Sequence, residues 1–362
     1  MKYTIQKEKG KPAYLQLYIQ IKEDIVTGIY PFGSKLPSKR YISEETNLSV
    51  VTVEHAYNIL CEEGYVEARQ RSGYFVLFKQ SDGFLPSAES PHFQIEAIHH
   101  KVESEVEFPF SVLAKTMRNV ISEYGEGILE RSENLGTGEL RGAIKKYLAR
   151  SRGIIADESQ IIIGSGSEYL YSLIVQLLGR EKLYAIESPS YKKIEQVYAA
   201  SNVRYEKLPL IKDGIKSAAL RKSSADVLHI SPFRSFPSSV TASASKKHEY
   251  IRWAKRRGAV IIEDDFESEF TISKKSEETL FSLSCENVIY MNTFSKTVSP
   301  SLRVGYAVLP PKLADIFSEK IGFYSCTVPT YIQYVLASLL NSGDFERHIN
   351  RVRRQKRKEL KN

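Results

Sequence analysis

Lys296 lies in the stretch Met291-Asn292-Thr293-Phe294-Ser295-Lys296-Thr297-Val298-Ser299-Pro300-Ser301-Leu302-Arg303, directly after the apolar run Val288-Ile289-Tyr290. The run reads as a buried strand, so a primary amine stands at a strand end, where an open α/β sheet keeps its chemistry. Small hydroxyls flank the amine, and a fixed positive charge follows at Arg303. That set suits an aldehyde cofactor that also carries a phosphate: Lys296 forms the Schiff base while Ser295 and Arg303 hold the phosphate. Pyridoxal 5'-phosphate meets both requirements. Taken alone, a lysine in a Ser/Thr loop reads as a solvated surface residue, so the assignment needs further sites.

A second site ends the preceding strand. Ala259-Val260-Ile261-Ile262 is an apolar run of the kind buried on both faces of a parallel sheet, and it leads into Glu263-Asp264-Asp265. A carboxylate there can pair with a protonated pyridine nitrogen and keep the ring an electron sink. Strand-end acids also cap helices, and between the two aspartates Asp264 is preferred as the earlier. A third site is Gln160-Ile161-Ile162-Ile163-Gly164-Ser165-Gly166-Ser167-Glu168-Tyr169-Leu170, a strand, a Gly/Ser turn and then the helical spacing of Leu173, Val175, Leu177 and Leu178. Such a turn offers unpaired backbone N–H groups and a hydroxyl at a helix N-terminus, a ready anion site.

Residues 11–78 form a separate pattern. Tyr14, Tyr18, Ile21 and Ile25 recur at helical spacing and stop at Gly28. Ser38 is placed to cap a second short helix, and Ser49 a third whose buried face is Val53, Ala56, Tyr57 and Leu60. Two short helices joined by Thr46-Asn47-Leu48 suit a helix-turn-helix, in which the second helix presents its first residues to the major groove. Tyr65–Ala68 and Tyr74–Val76 then read as strands joined by the basic tip Arg69-Gln70-Arg71-Ser72-Gly73, a wing. Short helical triples with a hairpin also serve protein interaction. The formal charge of +8 over 362 residues permits nucleic-acid binding without proving it. Much of the excess lies in the last stretch from Arg347 to Lys361, which reads as a solvated helix face.

The segments NLGTGELRGAIKKYLARSRG (from Asn134), IIIGSGSEYL, ESPSY, ISPFRSFPSSVTAS, IIEDDFESEF and NTFSKTVSPSLRVGY, in that order, resemble the aminotransferase-like domain of MocR-type regulators, the branch of the GntR family with a fused pyridoxal-phosphate domain. LPSKRYISEETNLSVVTVEHAYNILCEEGYVEARQRSGYFV is similar to the GntR winged helix-turn-helix. The resemblance implies a multidomain chain: a winged helix-turn-helix (α+β) at 11–78, a linker at 79–102, an α/β fold-type I large domain at 103–308, and the start of an incomplete small domain at 309–362. It implies pyridoxal 5'-phosphate held by Lys296, Asp264, Tyr191, Ser167, Glu168, Ser295, Arg303 and Thr293. It implies DNA contacts from Lys39, Arg40, Ser49, Thr52, Arg69, Arg71 and Gly73. Three positions depart from the family pattern. Val50 stands where an arginine usually follows the capping serine, Phe266 where relatives carry a tyrosine bonded to the cofactor's phenolate oxygen, and Phe236 at the asparagine of an Asn-Pro-Thr-Gly motif. None of the three can donate a hydrogen bond from its side chain.

The expected function is a cytoplasmic, homodimeric transcriptional regulator that binds operator DNA and senses a small amine or amino acid through the cofactor. The alternatives are a pyridoxal-dependent aminotransferase, or a truncated fragment that keeps only DNA binding. Family members extend further and supply an arginine for a substrate carboxylate, and no residue here takes that role, so useful transamination is not expected. Neither a transmembrane-length apolar stretch nor an N-terminal signal pattern is present. Cys61, Cys285 and Cys326 are isolated and His99-His100 has no second cluster, so neither a disulfide framework nor a metal site is expected.

Overall fold

The structure, a computed structural model, describes residues 3–5, 12–79, 108–266, 268–271 and 278–359. The chain divides into two compact units, Met1–Lys101 and Val102–Asn362. The expected linker at 79–102 lies, beyond residue 79, outside the described residues, as do His99 and His100.

In the first unit α1 (Ala13–Val26), α2 (Lys39–Thr46) and α3 (Val50–Glu62) precede the strands β1 (Val66–Arg69) and β2 (Gly73–Val76). α1 buries Leu17, Tyr18, Ile21 and Ile25, and α3 buries Val53, Ala56, Tyr57 and Leu60, so the apolar stripes of the two helices form one core with Leu36 and Ile42. The side chains of Ser38 and Ser49 accept from the amides of Tyr41 and Thr52 at 3.2 and 3.1 Å, which satisfies donors the helices cannot. Asn47 ends α2 in the left-handed region at φ 53°, a conformation asparagine tolerates, and this turn re-aims the chain into α3. β1 and β2 pair antiparallel from Val66↔Val76 to Arg69↔Gly73, with Lys35 bridging to Phe75 on the outer edge.

The second unit begins with α4 (Phe110–Tyr124) and α5 (Gly138–Arg152). It continues through β3 (Ile161–Gly164), α6 (Ser167–Leu178), β4 (Leu183–Ser188), α7 (Lys192–Ala200), β5 (Arg204–Ile211), β6 (Gly214–Ile215) and α8 (Ser217–Lys222). Then come β7 (Val227–Ile230), α9 (Ala244–Arg257), β8 (Val260–Asp264), α10 (Leu280–Leu283), β9 (Val288–Thr293), β10 (Gly305–Val308), α11 (Pro311–Lys320), α12 (Thr330–Asn341) and α13 (Asp344–Glu359). One eight-stranded sheet runs β3-β10-β9-β8-β7-β4-β5-β6. β9, β8, β7, β4 and β5 are parallel neighbours, and β10 lies antiparallel between β9 and β3. Helices cover both faces, so the inner strands are buried throughout and read as unbroken apolar runs rather than alternating ones.

Alternate residues of β8 and β9 nevertheless belong to different cores. Ile261, Val288 and Tyr290 join the cluster that includes α5, whereas Ile262, Ile289 and Met291 join the one that includes α6. Residues 309–359, expected as the start of a small domain, fall within the second unit. α11 packs Ala314 and Phe317 into the α6 core, and α12 and α13 pack Val335, Leu336, Leu339, Phe345 and Ile349 into the α5 core. The expected boundary at residue 308 is therefore not a break in packing.

Candidate cofactor site and nucleic-acid interface

The strand period decides which way the paired aspartates face. Asp264 follows Ile262 by two residues and turns to the α6 side. There it accepts from the Tyr171 hydroxyl and lies 3.7 Å from His229 Nε2. Asp265 turns to the α5 side, where it meets Arg152 at 3.5 Å and accepts from Ser268 and, at 2.8 Å, from the Tyr290 hydroxyl. Each carboxylate is almost fully buried, and each has its own partners on its own face. The His229 ring is fixed from behind by Tyr198, whose hydroxyl is 2.7 Å from Nδ1, while its buried Nε2 has no hydrogen-bond partner.

Above Asp264 the sheet ends open into a cavity of about 330 Å³ lined by Ser167, Glu168, Tyr171, Tyr191, Lys193, Phe236, Phe266, Thr293, Ser295, Lys296 and Arg303. Seven of the eight residues expected to hold the cofactor line it, and the eighth, Asp264, bonds to Tyr171 in its wall. Lys296, three residues past the end of β9, holds its ammonium over the Phe266 ring, 4.5 Å from the centroid. Thr293 Oγ1 donates to the Val304 carbonyl at 3.0 Å and accepts from the Ser295 amide at 3.1 Å, which folds the Lys296 loop back on the strand end. Tyr191 stands at the N-cap position of α7 and meets Phe236 edge to face at 6.0 Å, so part of the cavity lining is aromatic.

At the other end, Ser167 starts α6 directly after Gly166, whose φ of 99° is open to glycine alone at no steric cost. A Cβ there would come within 2.7 Å of Arg303 Nη2, so the missing side chain is what lets the guanidinium lie against the helix N-terminus. Arg303 Nη2 donates to Glu168 Oε2 at 2.7 Å, and Lys193 bonds the other carboxylate oxygen. Partial burial pushes the Glu168 carboxyl up, but the hydrogen bonds from Lys193 and Arg303 outweigh it and hold the group down at about 2. The end of the cavity thus gathers two cations, one carboxylate, hydroxyls and helix-terminal amides.

A pyridoxal-type group fits this donor set. The amine, the anion end with its glycine cradle, the buried carboxylate beneath and the aromatic wall are each the right chemistry for one part of it. Sequence reasoning missed Lys193, Tyr171, His229 and Tyr198. Tyr171 falls four residues after Ser167, on the same helix face, and His229 is a polar residue in the fully buried run Val227-Leu228-His229-Ile230; both signals were readable. Lys193, one exposed-looking lysine of a pair, carried none.

In the first unit, Arg40 on α2 and Arg71 in the wing turn are exposed, and Arg71 holds a left-handed φ of 59°. Lys39 is engaged by Glu54 of α3, and Arg69 by Glu67 and by the Phe75 ring at 4.3 Å. Ser49 and Thr52 join their hydroxyls at 2.8 Å at the start of α3. Gly73, with φ 112°, has the Lys35 side chain 2.9 Å from where a Cβ would sit. Among the described residues no group of His, Cys, Asp or Glu is arranged to hold a metal ion, and no helix is long and apolar enough to cross a membrane.

The fold and the site define a fold-type I aminotransferase-like domain, preceded in the same chain by a helix-turn-helix unit. The family of bacterial regulatory proteins, gntR family, matches residues 13–76, and aminotransferase class I and II matches residues 106–361. The HTH-type transcriptional regulator YdeL of Bacillus subtilis (strain 168) is 33% identical over 358 residues, spanning 96% of this chain and 77% of the relative. The probable rhizopine catabolism regulatory protein MocR of Rhizobium meliloti is 26% identical, over 97% of this chain and 76% of the relative. The chain belongs to the GntR-type regulators of this MocR-like kind, with an aminotransferase class I and II domain. Among solved structures, Pyrococcus horikoshii kynurenine aminotransferase in complex with PMP superposes with a TM-score of 0.63 at 24% identity, a likeness of fold. The match covers 68% of this chain and 64% of that enzyme, so this chain spans slightly less than two thirds of the enzyme's length.

Proposed function

We propose that this protein is a cytoplasmic, homodimeric transcriptional regulator that binds operator DNA through its first unit. In its second unit it senses a small amine or amino acid by way of pyridoxal 5'-phosphate on Lys296. The single observation that carries the proposal is the cavity at the sheet ends, which gathers amine, anion-binding end and aromatic wall above a buried carboxylate, in a chain that also carries a helix-turn-helix. When bound, the cofactor supplies an aldehyde that condenses with amines and a ring that withdraws electrons.

The protein's own residues do the rest. Ser167, at the helix N-terminus, and Arg303 would hold the phosphate. Arg303 has five donors, and Nη2 is the one that meets Glu168, so the fork keeps N–H groups for an anion. Asp264 would hold a proton on the ring nitrogen, and its own orientation is set by Tyr171 and His229. Lys296 would supply the amine that holds the cofactor's aldehyde, and its ammonium otherwise rests over the Phe266 ring. A ligand amine that took its place would leave Lys296 to that ring contact. Only such a difference between two states can be transmitted to the DNA-binding unit.

The test uses the full chain purified with pyridoxal phosphate. Borohydride reduction followed by peptide mapping should fix the cofactor on Lys296, and the protein should retard duplex DNA at low salt. One or more amines from a panel should then change DNA affinity by roughly 5- to 150-fold, the usual range of allosteric coupling. Cofactor fixed on another lysine would refute the site. Absence of any DNA binding would refute the regulator.

A further inference from the structure

The first turn of α3 carries two valines that the fold does not use. Of the four consecutive β-branched residues Val50, Val51, Thr52 and Val53, Val53 alone enters the core, whereas Val50 is 40% and Val51 74% exposed. β-Branched residues are poorer helix formers than alanine, so neither packing nor propensity explains these two. Val51 continues into His55 and Asn58 as the exposed stripe of α3, and the hydroxyls of Ser49 and Thr52 stand beside the valines. Arg40 and Arg71 are exposed in the same unit and bear the positive charge that a polyanion would meet.

We infer that Val50 and Val51 are specificity determinants that read the 5-methyl group of thymine in the major groove. The inference rests on the operator-binding reading of this unit. Among the base edges in that groove, thymine alone presents an apolar group; the others present donors and acceptors. A valine set against guanine, or against the amino group of cytosine or adenine, would strip water from a polar atom and return no hydrogen bond. Against thymine the same valine buries methyl on methyl. At position 50 the arginine that the family resemblance leads one to expect would offer a phosphate or base contact, whereas valine offers only an apolar one, which suits the thymine methyl. Contact with a protein surface is the competing use of an exposed valine pair, and it predicts no dependence on the thymine methyl.

The experiment selects duplexes that the full-length protein binds from a pool with a randomised core. The selected duplexes are then resynthesised with 2'-deoxyuridine replacing thymidine one position at a time, and affinities are compared at fixed salt. At one or more positions, loss of the methyl should weaken wild-type binding about fourfold, the effect of one buried methylene-sized group. In the Val50→Ala/Val51→Ala protein, which keeps only one methyl per side chain, held closer to the backbone, the difference between thymidine and deoxyuridine duplexes should shrink. Val51→Thr, which keeps the branch and one methyl, provides a second variant with little change to the helix and should retain part of the discrimination. If every deoxyuridine duplex binds the wild type as tightly as its parent, the inference is overturned while the operator reading stands. Methyl discrimination undiminished in the double-alanine protein would overturn it as well, by assigning the readout to other side chains. If no duplex is bound even at low salt, the operator reading falls first and takes the inference with it.

Discussion

Replacing Glu187 with glutamine should stabilise the second unit at neutral and alkaline pH and remove part of its acid-side pH dependence. Glu187 is the penultimate residue of β4, four residues before the cavity-lining Tyr191, and its Oε2 accepts from the Ser231 amide at 3.2 Å and the Ser235 hydroxyl at 2.6 Å. It thereby ties two cavity-lining segments together, since Phe236 follows Ser235. Burial raises its carboxyl to about 7 from 4.5; the hydrogen bonds from Ser235 and Ser231 oppose that rise, and the charge of Asp264 adds to it. The folded state therefore holds a proton that the unfolded chain has released, and stability falls as pH rises from about 4.5 to about 7, then levels off. The shift corresponds to roughly 3 kcal/mol across that window. Both donors address the same oxygen, so a glutamine carbonyl placed there keeps both bonds without the ionisation cost. The assay is urea unfolding followed by fluorescence of Trp253, the single tryptophan of the chain, which is buried in the α5 core and so reports on the second unit. Glu187→Gln should match wild type near pH 4.5 and gain on it progressively up to pH 7, by roughly 3 kcal/mol. Wild-type and variant curves that run parallel across the window would refute the assignment of a protonated Glu187 in the folded protein.

Lys296→Ala should abolish borohydride-fixed cofactor and leave DNA retardation intact; a reducible adduct persisting in the variant would place the amine elsewhere. Gly166→Ala should weaken retention of pyridoxal phosphate by about tenfold or more, because a Cβ at φ 99° is strained and meets the Arg303 guanidinium. Equilibrium dialysis checks this, and unchanged retention would deny the cradle a role. For DNA, Arg40→Ala and Arg71→Ala should each lower the slope of log affinity against log salt by about 0.9 per engaged protomer. Lys39→Ala should change it less, since Glu54 already engages that lysine, and Glu54→Ala should tighten binding. Equal slopes for all variants would show that these charges face away from the phosphates.

What could be read from the chain was what is local in it. The caps Ser38 and Ser49, the buried faces of α1 and α3, the wing hairpin, and the two strands ending in Asp264 and near Lys296 all rest on periods of 3.6 or 2, or on turn chemistry a few residues long. Even the opposite facing of Asp264 and Asp265 follows from the pleat, provided that one knows which face holds the site. That proviso is tertiary. Tyr171 reaches Asp264 across 93 residues, Arg303 reaches Glu168 across 135, and Arg152 reaches Ser268, in the Asp265 network, across 116. No spacing rule connects residues so far apart. Their meeting depends on the order β3-β10-β9-β8-β7-β4 and on the helices laid over it. The same holds for residues 309–359, which the family resemblance implied to be the start of a small domain and whose buried apolar residues join the cores of the second unit. The sequence alone determined which residue types stand at the strand ends and helix starts, because backbone periodicity is written locally. The tertiary structure decided which of them share a cavity, because burial and charge pairing are settled between segments that the sheet topology brings together.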